Sequence, residues 1–346
     1  GEEALDDFVV RLAQRSGQNI SIGDPIAHAM LPDGSRSELA LGTEVTPHGS
    51  AFTIRKYSEE PFTPVTLMDY GTFSLDHMAY LWLAIENNKS LIFAGGTASG
   101  KTTSMNAVSM FVPPRSKVLT IEDTQEIRLY HDNWLSAVTR ENVGEGSDVD
   151  MYALLRSALR HRPEYIIVGE EAVTLFQAMN TGHTTFSTMH ADSIETVINR
   201  LENDPINVPR AMIQSLDILS VQTISHSGGE RVRRSREVSE IVGIDQRTGD
   251  LDYQSVFSWK PSDDEFRSSI GQSKVLADIR EEHGWSQLEL QRELRDRKRV
   301  LKYASEMDVT DFQTFTAIVN EYYADPDGVL DRVNEALDEE TAPLAQ

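Results

Sequence analysis

Cysteine is absent from the 346 residues, so disulfides, thiolate zinc sites and cysteine nucleophiles are excluded together. Long apolar runs are missing too, and no stretch approaches the ~18 residues that a bilayer-spanning helix needs. The opening GEEALDDF is not built like a signal peptide, so the expectation is a soluble intracellular chain, with a peripheral membrane role left open. Basic residues are scarce, 32 Lys and Arg against 55 Asp and Glu. The resulting formal charge of −23 argues against a chain that coats nucleic acid, and no nucleic-acid partner is expected. The acidic excess is spread over helices and loops, which is what adaptation to a high-salt cytosol produces, because salt screens self-repulsion. An ordinary acidic protein is the plainer reading.

What is present supports a large folded chain. At 39% hydrophobic residues there is enough apolar material for a full core and room for two or three domains. A short helix is expected over Ala4 to Arg15. ISIGDPIAHAMLPDGSRSELALG alternates around the turn signal Pro32-Asp33-Gly34 and predicts a hairpin, and SAFTIRKY adds a strand. Residues 1–57 therefore read as a small N-terminal α/β domain, thin enough to be a fragment of a larger unit. SEEPFTPVTL carries Pro61 and Pro64 and predicts a stiff, extended linker over 58–68. Over 69–260, helices alternate with short apolar strands (SLIFAGG, KVLTIED, YIIVGE, TTFSTMHA), the order of a largely parallel α/β sheet with crossover helices. From Leu219 to about Lys260 strands dominate, joined by the turn QRTGD, and close the sheet on an antiparallel edge. Residues 270–337 are expected to be helical, and 338–346 to be a disordered tail.

LIFAGGTASGKTTSMN holds Gly95, four residues, then Gly100-Lys101-Thr102, the spacing of a phosphate-binding loop. An apolar strand precedes it and a helix begins at the lysine. In such a loop the backbone amides of Gly95, Gly96, Thr97, Ala98, Ser99 and Gly100 wrap a polyphosphate at a helix N-terminus. Lys101 reaches the β and γ phosphates, Thr102 completes a Mg²⁺ shell, and Thr103 follows in the first helical turn. The competing reading is a glycine-rich turn capped by hydroxyls.

Parallel strands end at one edge of their sheet, where ligands bind. KVLTIED ends at Glu122 and Asp123, YIIVGE at Glu170, and TTFSTMHA at His190. Such groups could polarise water, hold Mg²⁺ and sense a γ phosphate. Each alone reads equally well as a helix cap or a structural histidine. His183 and His190, seven apart, raise the question of a metal pair, but no third ligand is near in sequence.

Taken in order, GGTASGKT, TIEDTQEIRL, YIIVGE and TGHTTFSTMHA resemble the Walker A loop, Asp box, Walker B strand and His box of the secretion-superfamily ATPases. These drive type II secretion, type IV pilus assembly and the archaellum. The resemblance runs through nearly the whole chain. It implies a RecA-like P-loop core joined to an N-terminal domain, a homo-hexameric ring and bound ATP and Mg²⁺. It also implies work on a polytopic membrane platform protein from the cytoplasmic face of the membrane. Residue by residue, Glu122 and Glu170 become the candidates for activating water, with Thr102 and Glu170 toward Mg²⁺. His190 becomes the γ-phosphate contact, His183 a nucleotide-binding member of the His box, and Arg55 in FTIRK the arginine supplied across subunits. Many bacterial relatives carry a four-cysteine zinc module, and its absence together with the acidic composition gives an archaeal, halophilic character. One departure stands out. The family usually continues from Gly-Glu with an apolar residue, an arginine and a glycine or aspartate, whereas Gly169-Glu170 runs directly into Glu171-Ala172. Either a loop is omitted from the sequence at this point or strand and helix join with almost no turn.

Overall fold

The computed structural model describes residues 2–43, 45–56, 60–140, 149–169 and 172–341. They form two compact units, Gly1–Glu60 and Pro61–Gln346.

In the first unit, α1 (Glu2–Arg15) lies on one face of a three-stranded antiparallel sheet of β1 (Ile26–Met30), β2 (Arg36–Ala40) and β3 (Ala51–Arg55). Val9, Leu12 and Ala13 of the helix pack on Ala27, Ala29, Leu39 and Leu41. Period-two alternation on β1 and β2 puts those small apolar residues on one face, which is why the hairpin is legible in the sequence.

The second unit opens differently from the extended linker expected over 58–68. Helix α2 (Pro64–Asp69) starts inside it, because Thr63 accepts the Thr66 amide as N-cap and Pro64 sits at the first helical position, where its missing N–H costs nothing. There follow α3 (Leu75–Glu86), β4 (Leu91–Gly95), α4 (Lys101–Val108), β5 (Val118–Glu122) and β6 (Trp134–Val138). Next come α5 (Met151–Ala158), β7 (Tyr165–Val168), α6 (Ala172–Asn180), β8 (Thr184–Met189), α7 (Ile194–Glu202) and α8 (Arg210–Ile213). The long strands β9 (Ile218–Ser227), β10 (Glu230–Ile244) and β11 (Leu251–Lys260) precede the short β12 (Glu265–Ser268). Helices α9 (Lys274–His283), α10 (Gln287–Glu306), α11 (Phe312–Ala324) and α12 (Pro326–Thr341) end the described chain. The tail expected from 338 therefore begins inside α12, and residues 342–346 lie outside the described residues.

The strands form one sheet in the order β12-β11-β10-β9-β4-β8-β7-β5-β6. From β9 to β6 every pairing is parallel, and β10, β11 and β12 add the antiparallel edge. β4 is buried along its length, and alternate residues feed two apolar layers. Leu91 and Phe93 join α3, α4, α10 and α11 on one side, and Ile92 and Ala94 join α5, α6 and α7 on the other. This is a RecA-like α/β core with a small N-terminal α/β unit and a C-terminal helical region.

The C-terminal helices are locked to the core through α3, which is buried from His77 to Ile85. Arg297 of α10 lies buried between the rings of Trp82 and Tyr322, at 5.8 and 5.4 Å from their centroids, and pairs with Glu86 and Glu293. Burial holds the His77 imidazole neutral, its pKa pushed down to about 3, where it stacks on Phe257.

Candidate functional site

The parallel strands deliver their C-terminal ends to one edge, and the chemistry-bearing residues follow them. β4 ends at Gly95, β8 leads into His190, β7 into Gly169, and β5 ends at Glu122.

Gly95 is required by crowding. A Cβ there would stand 2.4 Å from Ser99 Oγ and 2.6 Å from the Gln222 carbonyl oxygen, its ladder partner on β9. Gly96, by contrast, faces open space. Ala98 takes a left-handed φ of +62°, and Gly100 caps α4 at φ +96°, so the loop curls back over the helix start. Lys101 is buried, and its Nζ donates to the Gly95 and Gly96 carbonyls at 3.0 and 3.1 Å and lies 3.3 Å from His190 Nδ1. The Ser99 hydroxyl is buried without a partner among the described residues. A curled loop at a helix N-terminus, with a buried, unpartnered hydroxyl and a lysine amine folded onto its carbonyls, fits a polyphosphate. Thr102, half-buried in the first turn of α4, is the oxygen ligand that such a site offers to Mg²⁺. Among the described residues no group of three His, Asp or Glu side chains makes a separate metal cluster.

Glu122 is buried, and its Oε1 accepts from the backbone amides of Glu126 and Ile127, both at 2.9 Å. Two donors on one oxygen fix the carboxylate's orientation at the strand end. β5 is three strands from β4, about 14 Å at ordinary strand spacing. Asp123 is exposed and accepts from Thr139 Oγ1 at 3.0 Å. Between them Gly169 closes β7, and Ser187 Oγ of β8 donates to its carbonyl at 2.7 Å.

Other expectations fare differently. His183 precedes β8 and His190 follows it, so the two stand at opposite ends of a strand, about 23 Å apart along the chain. His183 is engaged with Thr181 Oγ1 at 3.0 Å, away from the phosphate loop, and neither nucleotide contact nor a shared metal fits that placement. Arg55 ends β3 in the N-terminal unit, opposite Arg36 in the ladder. Glu170 lies outside the described residues, as does Glu171; three residues separate β7 from α6.

Arginines outside the motifs also touch these loops. Arg233 Nε donates to the Ala98 carbonyl at 2.9 Å, Arg236 Nη1 to the Asp192 carbonyl at 3.3 Å, and Arg200 to the carbonyl of His190. A signal was there: RVRRSR packs four arginines into six residues of a chain with a charge of −23.

Comparison with known proteins gives a consistent picture. The family described as type II/IV secretion system protein matches residues 8–254, and a PilB3-like C-terminal family matches 263–342. The uncharacterized protein MJ1287 of Methanocaldococcus jannaschii is 43% identical over 264 residues, covering 75% of this chain and 97% of the relative. MJ0900 of the same organism is 38% identical over 329 residues, covering 93% of this chain, which spans 60% of that relative's length. The type IV secretion system protein PtlH of Bordetella pertussis is 31% identical over 251 residues, covering 61% of this chain and 73% of PtlH.

Proposed function

The chain belongs to the type II/IV secretion system protein family, and on that premise we propose that it is an ATP-hydrolysing motor of a pilus, archaellum or secretion machine. ATPase activity is the family-level expectation. The observation that carries the proposal for this chain is the Lys101 amine, folded onto the Gly95 and Gly96 carbonyls beside His190 at the C-terminal edge of a parallel sheet.

In this reading the loop amides and Lys101 bind the triphosphate, and His190, already beside the lysine, contacts the γ phosphate and reports its presence. Glu122, fixed by two amides, orients and activates the attacking water, with Glu170 as the second carboxylate in that role. Thr102 and Glu170 are the residues that would hold Mg²⁺, which would supply neutralising charge to the phosphates. Arg55 of a neighbouring subunit completes the site, which requires a ring, proposed as a homo-hexamer. The hydrolysis cycle then moves the two units of each subunit and drives a membrane platform protein from the cytoplasmic side. No helix among the described residues is long and apolar enough to cross a membrane.

The test is steady-state phosphate release in Mg²⁺-ATP. Lys101→Ala is expected to abolish it, and a variant as active as the wild type would refute the site assignment. The sequence departure at Gly169-Glu170-Glu171-Ala172 favours one second reading, a subunit that binds ATP with little hydrolysis. That protein binds a nucleotide analogue and releases no phosphate in the same assay.

A further inference from the structure

Strand β10 carries Arg231, Arg233, Arg234 and Arg236. Simple alternation would place Arg234 and Arg236 on one face and Arg233 on the other. The ladder with β9 breaks that rule, because Ser235 pairs with Gln222 and Glu237 with Val221, leaving Arg236 as the extra residue of a β-bulge. Exposure reports the result: Arg234 and Ser235 are buried, while Arg233 and Arg236 are both exposed.

Each exposed arginine holds a different loop. Arg233 holds Ala98, the left-handed residue at the centre of the phosphate loop, by its carbonyl. Arg236 holds Asp192, two residues beyond His190. Those loops meet where Lys101 Nζ lies 3.3 Å from His190 Nδ1. The strand is itself anchored from behind. Arg234 Nε and Nη2 donate to the two carboxylate oxygens of Asp264, each at 2.8 Å, and Nη1 donates to the Tyr70 carbonyl at 2.9 Å. Gly71, at φ +65°, leaves room for that guanidinium, since a Cβ there would stand 3.3 Å from its central carbon.

We propose that Arg233 and Arg236 are positioning residues for the nucleotide reaction, aimed by the β10 bulge so that one strand fixes the phosphate loop and the His190 segment in register. The inference rests on the ATPase reading above. The labour divides by loop. Arg233 stabilises the left-handed Ala98 that turns the loop amides toward the ligand, so it acts on nucleotide binding. Arg236 acts on the segment bearing His190, so it acts on the rate once nucleotide is bound.

The experiment uses the full chain, with R233Q, R233K, R236Q and R236K. Each is measured for KM and kcat in Mg²⁺-ATP, for the affinity of a fluorescent non-hydrolysable ATP analogue, and for melting temperature. For R233Q, KM and the analogue Kd are expected to rise about tenfold, the scale of one charge-assisted hydrogen bond at a partly exposed site, with kcat near wild type. For R236Q, kcat is expected to fall about tenfold with the analogue Kd near wild type. The lysine variants, which keep a charged donor, recover most of each loss. Unchanged KM and kcat in both glutamine variants overturn the inference, as do lowered melting temperatures with intact kinetics, or losses that lysine does not rescue. In all three cases the ATPase reading survives through the wild-type turnover. A wild type that neither binds the analogue nor releases phosphate removes the ATPase reading itself.

Discussion

Adding a single methyl group at Gly95 tests how tightly the phosphate loop is built. In Gly95→Ala the new Cβ would stand 2.4 Å from Ser99 Oγ and 2.6 Å from the Gln222 carbonyl oxygen, whereas ordinary contact begins near 3.4 Å. The serine hydroxyl can rotate away. The carbonyl cannot, because Gln222 is held in the β4–β9 ladder opposite Gly95. The strand end or the loop must shift by roughly half an ångström to one ångström, and overpacking of that kind costs about 3 kcal/mol. For a unit of this size the cost lowers the melting temperature by roughly 5 °C, and displacement of the loop lowers ATP turnover by about a hundredfold. Thermal unfolding followed by circular dichroism, paired with phosphate release, reads both. Gly96→Ala is the control one residue on: nothing lies within 4 Å of its Cβ, so its melting temperature stays at the wild-type value and only nucleotide affinity suffers. A Gly95→Ala protein with wild-type melting and turnover would refute the close packing on which the loop geometry depends.

Two further outcomes follow from the carboxylates of Asp217 and Glu122. Burial pushes the Asp217 carboxyl up to about 6 against the pull of its hydrogen bond from the Ser90 amide. A carboxyl raised on folding binds its proton more tightly in the native state, so stability declines as pH rises from about 4 to about 6 and remains lower above. Asp217→Asn keeps the acceptor for Ser90, so it should raise the melting temperature at pH 7.5, by at most about 3 kcal/mol in stability, and should change little near pH 3.5; a lower melting point at both pH values would show that the charge stabilises the fold. Glu122→Gln keeps an oxygen for the Glu126 and Ile127 amides, so melting should hold while phosphate release falls about a hundredfold, and turnover within twofold of wild type would remove Glu122 as the water-activating group.

The features legible in the sequence are those that depend on local spacing. Gly95, Gly100, Lys101 and Thr102 mark their loop because the chemistry requires those residues at those intervals, and the alternation of strands and helices places His190 and Glu122 at its edge. What escaped depends on register or on context. WLSAV, which forms β6, is half-exposed at the sheet edge and lacks the apolar run that identifies its neighbours. Pro64 reads as a breaker until Thr63 is seen to cap it. His183 shares a motif with His190, although a six-residue strand separates them. Arg236 faces the site through a bulge, and a bulge is a property of two paired strands that neither strand shows alone.

The Lys101 amine has a further consequence. Its charge is met by two carbonyls of its own loop, those of Gly95 and Gly96. On the ATPase reading, binding is then an exchange of partners in which the phosphates must outbid those carbonyls, and the same carbonyls stand ready to take the lysine back once the γ phosphate has gone. On that reading such a loop trades affinity for reversibility, because the contact that competes with the phosphates is also the one that helps release them.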